Sequence, residues 1–176
     1  FVDVKPKTGI QARAFSLTKP VLLAMKYGLK LDQDLFLNFS ELRRHLESSF
    51  WYESVPKLRA SDMDCLQAII KVAEQKINGD PIQVPMNEHR DFHLRFFKPL
   101  ENRIVVDLME AYWELNHLSN MSLYRNHDYL VGVWTYHQNM LDAVKKREFE
   151  LGHQLLLTHM DLVQQVRKTV PTHRFE

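Results

Sequence analysis

The chain holds a single cysteine, Cys65, so no disulfide within it can brace the fold. No apolar run approaches the roughly 18 residues that a membrane helix needs. Phe1-Val2-Asp3-Val4-Lys5 lacks the basic start and the apolar stretch of a secretory signal. Charge of one sign is also missing: a formal net charge of +1 over 176 residues excludes a nucleic-acid surface spread over the whole chain, so any DNA contact is local or lies outside these residues. There is no His-Glu-x-x-His motif, no internal repeat and no low-complexity tract. These absences point to a cytosolic protein without a membrane partner, and the abrupt start reads as a fragment boundary.

What is present is the composition of an ordinary globule, 45% apolar and 26% charged, long enough for one domain with a core of its own. Val2, Val4, Ile10, Ala12 and Ala14 alternate with polar residues on either side of Lys7-Thr8-Gly9, which predicts a short β-hairpin with glycine at the turn. Nothing later reads as strand.

From Ser16 the punctuation is helical. Thr18 is placed to cap a first helix, with Pro20 in its first turn and Gly28 just past its end. Leu35, Phe39, Leu42, Leu46 and Phe50 then recur at spacings of three and four until Pro56 predicts a stop or kink. Ser61 with Asp64 resembles a capping box opening a helix whose face is Leu66, Ile69, Ile70, Ala73 and Ile77, running to Gly79. A fourth helix starts near Pro85, presents His89, Phe92, His93 and Phe96, and ends before Pro99. Asn102 opens a fifth through Val105, Leu108, Met109, Tyr112 and Leu115, and Ser119 to Asp128 is a polar loop. Two last helices carry Leu130, Trp134, His137, Leu141 and Val144, then Leu155, Leu156, His159, Leu162, Val163 and Val166. Short links between amphipathic helices make antiparallel neighbours. The expected fold is therefore all-α, an antiparallel bundle of about six to seven helices preceded by a short β-hairpin.

Histidine carries the chemical signal. His137 and His159 each lie 11 residues from Glu148, where two helices meet, so a reversal there brings both imidazoles level, about 16 Å from the turn at about 1.5 Å per residue. His89 and His93 are spaced i,i+4 and share one helix face. Four imidazoles converging inside a bundle would make a transition-metal site suited to zinc, copper or nickel rather than magnesium or calcium. The plainer alternative is that the histidines are hydrogen-bonded core residues. His45, His117, His127, His153 and His173 are assigned to the surface or to ordinary packing.

Several stretches follow one another in a familiar order: Glu41-Leu42-Arg43 with Glu47, Asp91-Phe92-His93, Glu101-Asn102, the run from His137 through Gln138-Asn139-Met140 to Val144, and His159-Met160. In that order the chain resembles the FCD effector-binding domain of GntR-family transcription regulators, FadR subfamily. Val4-Lys5-Pro6-Lys7-Thr8-Gly9-Ile10 with Ala12-Arg13 resembles the wing that closes that family's winged helix-turn-helix. The resemblance implies a wing remnant over residues 1–15 and an effector-binding and dimerisation domain over 16–176, with the DNA-reading helices before residue 1.

It further implies a bacterial regulator rather than an enzyme: a homodimer that meets operator DNA through the missing N-terminal part and senses a small organic acid beside a divalent metal, zinc or nickel. Carried over by position, the metal ligands are His93, His137 and His159. The family's usual fourth ligand is an aspartate four residues before the first histidine, and His89 stands there. Four neutral imidazoles would leave a divalent ion at net charge +2 instead of +1, so the centre should lean harder on an anionic effector.

Arg43 offers a planar fork for the effector carboxylate, or else pairs with Glu47 at i,i+4. Asn102 reaches the effector or caps a helix, and Trp134 and Tyr112 wall the cavity or simply pack. Asn139, two residues past His137, faces elsewhere. Lys5, Lys7 and Arg13 in the hairpin are candidates for DNA phosphate contact. Two other readings stay open: a metal-free dimerisation and effector module of the same family, and a histidine-metal hydrolase, for which Glu88 and Asp91 are the carboxylates at hand.

Overall fold

A computed structural model describes residues 2–5, 9–12, 14–118 and 126–169, with side chains over 9–10, 14–117 and 126–161. Strand β1 (Val2–Lys5) pairs antiparallel with β2 (Gly9–Ala12), Val2 opposite Ala12 and Lys5 opposite Gly9. Gly9 has φ 79°, a left-handed conformation that glycine enters without the Cβ penalty. The expected hairpin is therefore formed. Its three cationic candidates fall outside the described residues, Lys7 and Arg13 entirely and Lys5 in its side chain.

Among the described residues eight α-helices follow, one of them a single turn: α1 (Thr18–Leu31), α2 (Leu35–Ser49), α3 (Trp51–Ser54), α4 (Ala60–Ile77), α5 (Met86–Phe96), α6 (Arg103–Leu118), α7 (His127–Lys145) and α8 (Phe149–Thr169). The all-α expectation holds, and the boundaries near prolines are close to those read from the sequence. Pro56 sits in a 3-10 turn, Val55–Lys57, that ends the α2–α3 stretch. Asn102 accepts a hydrogen bond from the Val105 N–H at 3.3 Å, which caps α6. The loop expected over 119–128 lies mostly outside the described residues, and α7 already begins at His127, where the Asn126 side chain accepts from the Asp128 and Tyr129 amides.

Three helix ends differ from expectation. Helix α1 runs through Gly28 to Leu31 instead of stopping before it, because Met25 and its neighbours pack on Ala111 and Leu115 of α6 and that packing outweighs the glycine's poor propensity. Thr18 is the first helical residue, not the cap; its hydroxyl donates to Glu110 at 3.1 Å, and the Leu17 amide donates to Asp107 at 2.6 Å. The box that opens α4 is built from Arg59 and Asp62, not Ser61 and Asp64: the Arg59 amide donates to the Asp62 carboxylate, which also receives Lys98 at 3.2 Å. The cap moves two residues, and Leu66, Ile70, Ala73 and Ile77 of the expected face are buried.

Helices α7 and α8 reverse through a tight turn whose closure is a Schellman motif. The Glu148 amide donates to Ala143 O at 2.8 Å, the Arg147 amide donates to Val144 O at 2.9 Å, and Arg147 itself has φ 63°. Near that turn α8 lies hard against Trp51, whose indole N–H donates to Phe149 O at 2.9 Å. A Cβ placed on Gly152 would come within 2.9 Å of the Trp51 ring, so the close approach needs glycine. The main core joins Trp51 and Val55 to Leu66 and Ile70 of α4, Phe92 and Phe96 of α5, Met109 of α6, and the inner faces of α7 and α8.

The largest departure from the apolar pattern is on α2. Leu42 is exposed, while the innermost residues are Ser40, Arg43 and Glu47. A polar face points into the protein because each of its charged groups finds a partner there.

Candidate metal centre

Three helices build the cluster. On α5, one turn apart, His89 and His93 face inward along with Phe92 and Phe96; His137 lies on α7 and His159 on α8, brought level by the turn at residues 146–148. All four rings are buried, and His93, His137 and His159 have no exposed surface. The four candidate ligand nitrogens lie within 4.8 Å of one another. Nε2 of His137 is 3.2 Å from Nε2 of His159 and 3.3 Å from Nε2 of His93, and Nε2 of His89 is 3.3 Å from Nε2 of His159.

These spacings suit one metal ion. Bonds of about 2.0–2.1 Å from a tetrahedral zinc would set ligand nitrogens roughly 3.3 Å apart. Burial holds His93, His137 and His159 below the ordinary imidazole value, with the neighbouring imidazoles adding to the effect on His137 and the Arg43 cation on all three. Neutral rings are what a metal requires, since each must present a lone pair. The donor set therefore fits a borderline or soft divalent ion.

An ion pair abuts the cluster from α2. The His93 Nδ1–H donates to Glu47 Oε2 at 2.8 Å, and Arg43 Nε donates to Glu47 Oε1 at 2.6 Å. Arg43 Nη2 lies 3.4 Å from Glu47 Oε2, 3.1 Å from His93 Nδ1 and 3.3 Å from His93 Nε2. Burial by itself would raise the Glu47 carboxyl, but the Arg43 charge and the His93 ring outweigh it and bring it down to about 2. Arg43 is likewise kept protonated: Glu47 overcomes the opposing effect of burial. The guanidinium also sits over the Trp113 ring at 4.2 Å and the Tyr112 ring at 5.2 Å.

Aromatic rings close the other sides. Trp113 meets His89 and His93 with centroids 4.9 Å apart in each case, and Trp134 meets His137 at 4.6 Å. Trp134 is thus beside the cluster as well as in the core. Tyr112 pairs with Ser40, oxygen to oxygen, at 3.2 Å. Asn102 is exposed at the start of α6, where its side chain caps the helix through the Val105 amide. Among the described residues, Nδ1 of His137, Nδ1 of His159 and Nε1 of Trp113 are buried without a hydrogen-bond partner.

The remaining histidines behave as ordinary residues. His45, His117 and His127 are exposed, and half-buried His153 bonds to Ser48 at 2.8 Å; His173 lies outside the described residues. Glu88 pairs with Lys76 at 2.7 Å and Asp91 with Arg90 at 2.9 Å, so the contacts of both are with cations away from the cluster. A separate cavity of about 740 Å³, lined by charges of both signs including Asp91, Arg95, Arg103 and Asp107, contains none of the four histidines.

Sequence reasoning did not bring Glu47 to His93, nor single out Trp113. The available signal for the first was that Arg43 and Glu47 share a face across one helical turn, which is also the spacing of a surface pair. For Trp113 it was an indole one turn past Met109, on a face already read as core.

Residues 38–162 match the model of the FCD domain family. No curated protein matches the chain.

Proposed function

Because the chain belongs to the FCD family, the effector-binding domain of GntR-type transcription regulators, we propose that it senses a small organic acid beside a zinc or nickel ion held by His89, His93, His137 and His159. The observation that carries this reading is the convergence of four buried imidazoles from three helices, with Nε2 atoms 3.2–3.3 Å apart between His137 and His159, His137 and His93, and His89 and His159. Such a metal supplies Lewis acidity and positive charge, to which a carboxylate adds when it binds.

The chain's own residues do the rest. An imidazole that gives a metal its lone pair brings no charge, and Glu47 is offset by Arg43 only 2.6 Å away, so these residues would leave the ion's +2 unreduced. An anionic effector is the natural complement, and Trp113 and Trp134 give the cluster apolar walls in which its charge is weakly screened. Arg43 is already bonded to Glu47, so a contribution to carboxylate binding would come from donors beyond Nε.

In this reading residues 1–15 are the wing of a DNA-reading domain and 16–176 the sensing and dimerising unit, in a cytoplasmic homodimer. The family match begins after α1, yet α1 packs on α6 through Met25, Ala111 and Leu115, which supports counting it with the bundle. Effector binding would act on operator affinity by favouring one dimer arrangement, since two DNA-reading heads must match the spacing of two half-sites.

The test is a thermal shift with a panel of small carboxylic acids, with and without a chelator. Acids that raise the midpoint only in metal-replete protein support the reading. Acids that stabilise equally after chelation would favour a metal-free effector module, in which the same nitrogen spacings are hydrogen bonds among packed rings.

A further inference from the structure

Resting on the metal reading above, we infer that Glu47 is a positioning residue for that centre: its carboxylate fixes the tautomer and orientation of His93, and Arg43 serves the centre by holding Glu47 in place.

The argument begins with a proton count. A carboxylate accepts only, so a ring nitrogen 2.8 Å from Glu47 Oε2 must carry the hydrogen. The proton of neutral His93 is therefore on Nδ1, and the lone pair is on Nε2. That is the nitrogen 3.3 Å from Nε2 of His137, inside the cluster. Without the carboxylate both tautomers of His93 would be open, and the one protonated at Nε2 offers the centre no lone pair.

Arg43 completes the device. A lone carboxylate in this interior would be costly, and it would turn toward any available donor. The guanidinium fixes it through Nε at 2.6 Å and through Nη2 at 3.4 Å, and is itself pinned over the Trp113 ring. The pair adds no net charge, so it orients His93 without changing the overall charge of the centre. A ring nitrogen that donates to a carboxylate is also a better donor at its other nitrogen, and loss of such a partner lowers metal affinity by roughly 10- to 100-fold. Among the described residues the Nδ1 atoms of His137 and His159 have no such partner. His93 is thus the member of those three that the protein orients by a carboxylate.

The experiment uses the 176-residue chain with zinc alone, in competition with a chelating dye, together with ¹⁵N-histidine NMR of the His93 ring. Glu47→Gln should weaken zinc binding roughly 10- to 100-fold and remove the hydrogen-bonded Nδ1–H signal of His93. Glu47→Asp should recover part of the affinity. Because Glu47→Gln leaves Arg43 with a weaker partner and could harm folding, the wild-type spectrum is a second, independent measurement: the proton should be on Nδ1. Tight zinc binding by wild type that Glu47→Gln leaves unchanged would overturn the inference while the metal reading stands, as would a wild-type His93 protonated at Nε2. Absence of zinc binding in wild type would overturn both.

Discussion

His137 and His159 are 22 residues apart in sequence and meet Nε2 to Nε2 at 3.2 Å, because the turn after Lys145 reverses the chain halfway between them. The turn is held by two backbone hydrogen bonds and an arginine in the left-handed region. The level placement of the two rings therefore depends on a local backbone motif about 16 Å away, at about 1.5 Å per residue. Arg147→Gly should preserve or slightly raise stability by relieving φ 63°, whereas Arg147→Val should lower it, a β-branched residue being strongly disfavoured there. Urea midpoints of the two variants check this.

Acid should destabilise the chelated protein from near neutrality. The unfolded chain takes up protons near the ordinary imidazole value of 6.5, while His93, His137 and His159 resist protonation in the folded state. The unfolded state then binds more protons, so stability falls as pH drops below 6.5. A second loss follows at lower pH. The Glu47 carboxyl is depressed to about 2, so its contribution is present above the ordinary 4.5 and fades as pH falls from there toward about 2. Urea unfolding between pH 8 and pH 5 measures the first window, and a flat midpoint across it would contradict the account.

Gly152→Ala should cost about 1–3 kcal/mol, as overpacking does, because the new methyl would meet the Trp51 ring at 2.9 Å and Val144 at 3.3 Å, and neither is the end of a flexible chain. Metal stoichiometry should survive, since His159 lies two turns further along α8 and the other three histidines are on α5 and α7. Denaturant unfolding with parallel zinc titration separates the two effects.

Two adjacent arginines should behave very differently. Arg43→Met strands the buried Glu47 charge and should cost about 3–5 kcal/mol even with no effector present. Arg44→Ala breaks only a partly exposed pair with Asp161 and should cost about 0–1 kcal/mol. Equal losses would contradict the structural role of Arg43.

Helical periodicity placed most of this fold. The faces of α5 and α7 are buried as read: His89, Phe92, His93 and Phe96 on one, and Leu130, Trp134, His137, Leu141 and Val144 on the other. The convergence of the histidines was legible for the same reason, as it needs only helical spacing and a reversal near Glu148. On α2 the pattern misled. Periodicity ranks Leu42 above Arg43, but a buried ion pair facing a cluster of imidazoles inverts that ranking, and the partner that permits it, His93, is 46 residues away. Propensity also failed at Gly28, where contacts with α6, distant in sequence, extend α1.

The most direct test of the central claim is elemental analysis of protein purified without a histidine tag, before and after incubation with zinc and removal of the excess. The account predicts about one zinc or nickel ion per chain, lost when His137 and His159 are replaced by glutamine. Protein that carries no metal as purified, and gains none with zinc, would contradict it.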